Sequence, residues 1–172
     1  MANTVTANLE TKLTVSETLD LTLNNVVSNP EISHIVDGAA VTLNAGSTPA
    51  ATLVSSGTLT LSSGTATIDL TASPGPTVNG TTADVDFTGL KINAFKFQAD
   101  ANNEEPITIE GHATNGYDLF AELSDGKIQL DPGDACVFLC NNSNPDVSAS
   151  VKVIDFASSD VDAILEFILV GG

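Results

Sequence analysis

The chain has 172 residues, the length of one ordinary domain with or without an appended arm. A chain of that size buries roughly 70% of the surface its unfolded form exposes, so it needs no disulfide staples. It carries 22 carboxylates against five lysines and no arginine, a net charge of −17, which leaves no basic face for nucleic acid or an anionic membrane and no guanidinium clamp for phosphate.

The N-terminus, Met1-Ala2-Asn3-Thr4-Val5, shows no charged segment followed by an apolar one, so no secretory leader is expected. No apolar run approaches the ~18 residues of a membrane span; the longest, 163–170, is interrupted by Glu166. The expectation is a soluble protein synthesised in a cytosol.

In chain order, residues 1–86 contain no aromatic side chain. Thr18-Leu-Asp-Leu-Thr22 reads as a strand, Asp37-Gly38 as a turn, and 44–49 as a long polar stretch. Apolar residues then alternate with polar ones in Thr58-Leu-Thr-Leu61 and Thr67-Ile-Asp-Leu-Thr71, separated by a Ser63-Gly64 turn. Ser73-Pro-Gly-Pro76 and Asn79-Gly80 read as turns, because proline fixes φ and glycine or asparagine accepts positive φ. Phe95-Lys-Phe-Gln98, Ile107-Thr-Ile-Glu110 and Lys127-Ile-Gln-Leu130 repeat the two-residue period, with turns at Asn115-Gly116, Asp125-Gly126 and Asp131-Pro-Gly133.

The segment Ala135-Cys-Val-Phe-Leu-Cys140 reads as a further strand. Positions i and i+4 of a strand lie about 13 Å apart, whereas a disulfide needs Cα atoms within about 7 Å. Cys136 and Cys140 are therefore expected as free thiols. The last strands, 151–156 and 163–170, are apolar on both faces, which suits central strands or strands covered by a second sheet or a neighbouring subunit.

Many short strands with such punctuation predict an all-β, antiparallel β-sandwich of jelly-roll-like kind. Every Phe and the single Tyr follow residue 86, so the dense core is expected in the second half. Residues 1–57 are expected to form an aromatic-free N-terminal β arm or extension, packing on something else, and 58–172 the sandwich domain.

Catalytic chemistry finds little support. His34 and His112 cannot assemble a cupin-type cluster, and there is no Gly-x-Ser-x-Gly elbow. Carboxylate pairs occur at Asp84/Asp86, Glu104/Glu105, Asp131/Asp134 and Asp160/Asp162, at turns where Asp is favoured in any case. A loop calcium site would draw on Asp84, Asp86, Asp160 and Asp162, although no EF-hand pattern is present. With no Trp and one Tyr, a sugar-stacking platform is poorly supplied. Asn79-Gly-Thr81 and Asn141-Asn-Ser143 match the glycosylation acceptor by chance in a chain without a leader. No enzyme, no catalytic residue and no cofactor is expected.

One order of segments carries a resemblance. Thr67-Ile-Asp-Leu-Thr71, Asp86-Phe-Thr-Gly-Leu-Lys-Ile92, Ala94-Phe-Lys-Phe-Gln98, Pro106-Ile-Thr-Ile109, Asp125-Gly-Lys-Ile-Gln-Leu-Asp-Pro-Gly133 and Glu166-Phe-Ile-Leu-Val-Gly171 together resemble small β-sandwich virion proteins of tailed phages. Capsid decoration (cement) proteins are the nearest in kind, over roughly 58–172. The resemblance implies a structural protein that clamps a shell from outside as a homotrimer. Its partners would be the major capsid protein and itself, and its place the outer capsid surface of the virion. The alternative class is an adhesion or glycan-binding sandwich of a tail, fibre or cell surface.

The charge alone yields one expectation. Raising salt from low to physiological concentration screens self-repulsion, so the melting temperature or the assembled fraction should rise. Thermal melts and light scattering across a salt series check this, and assembly that weakens with added salt would contradict it.

Overall fold

The computed structural model describes residues 5–9, 12–18, 21–23, 26–28, 31–37, 41–78, 81–120, 126–140 and 144–172. Sixteen strands, and no helix, are found among them. The chain divides into two compact units, Asn8–Thr42 and Met1–Ala7 with Leu43–Gly172. It is all-β and antiparallel, as its alternation predicts.

The smaller unit is a ribbon. β1 (Thr6–Leu9) and β6 (Val41–Asn44), a pair that the division between the units runs through, are joined where Thr42 Oγ1 donates to Asn8 Oδ1 at 2.9 Å. β2 (Lys12–Thr18) pairs antiparallel with β5 (Glu31–Asp37), and β3 (Leu21–Leu23) with β4 (Val26–Ser28). Lys12↔Asp37, Thr18↔Glu31, Leu21↔Ser28 and Leu23↔Val26 keep one offset, so the β2·β5 and β3·β4 pairs share one register. Two strands alone make no core.

The larger unit is a sandwich of two four-stranded sheets. Its strands are β7 (Leu53–Thr60), β8 (Thr65–Asp69), β11 (Ile92–Ala99), β12 (Ile107–Gly111), β13 (Lys127–Leu130), β14 (Ala135–Leu139), β15 (Val153–Ala157) and β16 (Ile164–Gly171). One sheet, the β16 sheet, runs β14-β11-β16-β7; the other, the β15 sheet, runs β13-β12-β15-β8. The two strands read as apolar on both faces, β15 and β16, are both interior to their sheets. Between β8 and β11 the hairpin β9 (Ser73–Val78) and β10 (Thr81–Val85) packs along β7, where the Ser55 and Ser73 hydroxyls lie 2.6 Å apart.

The expected division at residue 57 falls inside β7, which pairs with β16 from Leu53 to Thr60. Leu61, just after β7, Ile68 within β8 and Leu70 just after it are all core residues, so aromatic-free sequence supplies part of the sandwich interior. Ser73-Pro-Gly-Pro76, expected as a turn, instead belongs to strand β9. The Asn79-Gly80 turn and both glycosylation matches involve residues outside those described.

The core is aromatic, and alternation puts it there. On β11, Phe95, Phe97 and Ala99 point inward; on β15, Ile154 and Phe156 do. Phe97 meets Phe156 edge to face across the two sheets, ring centroids 5.6 Å apart. Phe95 stacks on Phe138 at 5.2 Å, and Phe120 closes on both, at 5.5 and 5.6 Å. Tyr117 is fully buried: its hydroxyl accepts the Ile92 N–H at 2.9 Å and donates to the Pro145 carbonyl at 2.8 Å. Burial pushes that phenol well above its ordinary pKa. Beside the β11 irregularity between Ile92 and Ala94, Asn93 Nδ2 donates to the carbonyls of Ala50 and Gly172.

Phe97 carries the junction between the sheets, so Phe97→Ala should cost about 3–5 kcal/mol in urea unfolding at neutral pH. A loss under ~1 kcal/mol would show that the sheets do not depend on it.

Candidate functional site

Of the four carboxylates singled out for calcium, Asp86 and Asp160 serve local structure. Asp84 is exposed on β10, next to a register shift after Thr82. Asp86, also exposed, accepts the Thr88 N–H at 2.8 Å, and hydrogen bonds from Thr88 hold its carboxyl below the usual range. Asp160 accepts the Glu104 N–H at 2.9 Å with one oxygen and the Asp162 N–H at 3.2 Å with the other. Asn103 ties the same loops through two bonds to Ile164. Among the described residues no three His, Cys, Asp or Glu side chains are grouped to hold a metal ion.

His112 lies in its loop, where Nδ1 accepts the Thr114 N–H at 3.2 Å. With Glu110 and Asp118 it borders a depression of about 260 Å³ that the sequence did not signal. The side chain of His34 lies outside those described. Cys136 is half-buried and Cys140 buried; both are free thiols, and burial pushes both up in pKa. Neither has the depressed pKa of a reactive thiolate.

The distinctive feature is the outward side of the β16 sheet. Register sets side chains in rows across it: Val137, Lys96, Ile168 and Ser56 in one, Ala135, Gln98, Glu166 and Thr58 in the next. At the Gly171 end the row is Leu139, Ala94, Val170 and Val54. There Ala94 and Val170 are buried, as are Leu43 and Ala51, and these four stand outside the main core cluster. The remainder is open: Val137 is 46% exposed, Ile168 43%, Leu139 39% and Val54 39%.

Two charges sit on this side, Lys96 and Glu166, together bordering a groove of about 270 Å³ with Ser56, Thr58, Gln98 and Ile168. Lys96 Nζ donates to Gln98 Oε1 at 2.7 Å. The ion pairs among the described residues, Lys91–Asp146 and Lys152–Asp69, involve neither Lys96 nor Glu166. The outward side of the β15 sheet is different: Asp69, Asp155 and Glu110 lie there with Lys127, among Thr65, Thr67, Thr108 and Gln129. One sheet thus turns an apolar, charge-balanced side outward and the other a polar, acidic one.

Sequence patterning gave the alternation that turns Lys96 and Gln98 away from Phe95 and Phe97. It could not give the side they join, because the rows combine strands more than a hundred residues apart.

Compared with protein-family models, curated proteins and solved structures, the chain finds no match.

On the acidic sheet, burial works to raise the Asp69 carboxyl, but hydrogen bonds from Lys152 and Thr71 outweigh it and hold the group below its ordinary value of 3.8. A depressed carboxyl contributes stability above its unfolded pKa and loses it as pH falls through the folded one. Because the pair is partly exposed, Asp69→Asn should cost only about 0.5–1 kcal/mol at pH 7, with the difference vanishing toward pH 2. Urea melts of both proteins at the two pH values check this; a constant difference would exclude the ionic origin.

Proposed function

We propose that the protein is a non-enzymatic structural protein that decorates the outside of a virus shell as a homo-oligomer. The shell's major capsid protein is its partner, and a trimer is the form its resemblance implies. The strand order supports reading the sandwich as a jelly roll. The antiparallel pairs β7·β16, β8·β15, β11·β14 and β12·β13 are nested in sequence and divided between two sheets, the arrangement of interlocked Greek keys. That architecture serves capsid, lectin and enzyme domains alike, so function must be argued from the surface.

The observation that carries the reading is the contrast between the two outward sides. A chain of net charge −17 resists association wherever its carboxylates meet another acidic surface. The β15 sheet presents such carboxylates and suits water, while the β16 sheet presents exposed Val and Ile in a charge-balanced setting and suits protein. The ribbon of 8–42, built of two-stranded pairings that make no core of their own, adds an element that gains most when laid on a partner surface.

The test is absolute mass by light scattering, followed by co-sedimentation with shells assembled from the major capsid protein alone. A calcium-independent oligomer that sediments with shells is expected. A monomer that ignores shells but is retained on a glycan panel would overturn the reading in favour of adhesion.

A further inference from the structure

We infer that the open side of the β16 sheet is where one copy of this chain meets another, Lys96 of each copy pairing with Glu166 of the next. This rests on the reading of the protein as a self-associating shell component and names the surface involved. The occupant is a second copy because the side is complementary to itself. It carries one positive and one negative group in one groove, with no ion pair between them, set among exposed Val137, Ile168, Leu139 and Val54. In a symmetric contact, residue i of one copy meets residue j of its neighbour and the reverse, so one Lys and one Glu satisfy each other in a pair or in a closed ring. A basic partner would leave Lys96 opposed, and an acidic one Glu166. Most other carboxylates of the chain have no lysine to answer them, so a copy approaching through the loops meets like charge, and the β15 sheet, with Asp69 held by Lys152 and Glu110 opposite Lys127, offers no comparable apolar surface.

Size sets the character of the contact. Four strands about 4.8 Å apart and up to ~26 Å long present roughly 500 Å² per copy, part of it already covered. A pair so formed buries less than the ~1,600 Å² of a standard interface, which makes association reversible and concentration-dependent.

The experiment compares the mass of the full chain with those of Lys96→Glu and Glu166→Lys, each alone and in equimolar mixture, with shell co-sedimentation alongside. Each variant alone should self-associate at least about tenfold more weakly, since like charges then face each other, and the mixture should recover association. Recovery also shows that both variants fold. If the wild type is oligomeric and either variant alone stays so, or the mixture does not recover, the assigned surface is wrong while the oligomeric reading stands. A monomeric wild type that still binds shells overturns this inference and the homo-oligomer of the proposed function but leaves shell decoration standing, and one that also ignores shells overturns decoration as well.

Discussion

The edge-to-face contact of Phe97 with Phe156 fixes more than the spacing of two sheets. Both rings sit at alternate positions of interior strands, so once they point inward, every neighbour on β11 and β15 is assigned a side. Slipping β11 by one residue would drive Lys96 into a core lined by Phe156, Leu165 and Ile109 and expose Phe95 and Phe97. Burying an unpaired ammonium costs far more than the slip could return, so the register is held on both counts. The outward rows of the β16 sheet are a consequence of that inward packing.

Much of the sandwich is legible in the sequence because its strands are half-buried. Phe95-Lys-Phe-Gln98, Ile107-Thr-Ile-Glu110 and Lys127-Ile-Gln-Leu130 each show the two-residue period and each is a strand. Ser73-Pro-Gly-Pro76 was not legible, because its residues are those a turn uses. The surroundings decide: β9 pairs with β10 alone in a two-stranded sheet, where missing proline N–H groups are tolerated. Gly75 there approaches Ala83 so closely that a Cβ would lie 2.0 Å from its carbonyl oxygen. The limit of the arm was hidden for another reason. Composition changes where the aromatics begin, yet β7 and β8 need none, since Phe167 and Phe156 reach into the interior from the paired strands β16 and β15.

The candidate surface was legible only in halves. The alternation gives which residues of one strand face outward, but nothing local tells that Val54, Lys96, Val137 and Ile168 share a side. Sheet order supplies that, and sheet order follows from contacts far apart in sequence. The carboxylate pairs illustrate the opposite case. They stand out in the sequence, yet Asp86 and Asp160 are occupied by backbone N–H groups of their own or neighbouring loops. Aspartate at a turn is explained by the turn.

The edge strand β14 shows how an acidic chain can carry an uncharged sheet edge. Ala135-Cys-Val-Phe-Leu139 has no charge, and among the described residues no strand pairs with its outer edge. Such an edge invites indiscriminate strand addition. Two features restrain it. Phe138 turns inward onto Phe95 and Phe120, tying the strand to the core, and exposed Asp131 and Asp134 stand at its approach. A second copy adding a strand along this edge would bring a like pair of carboxylates against them, whereas one meeting the flat of the sheet engages Lys96 and Glu166 and leaves those loops in water. The same charge that discourages pairing along the edge is thus consistent with the proposed contact through the face, where Lys96 and Glu166 balance.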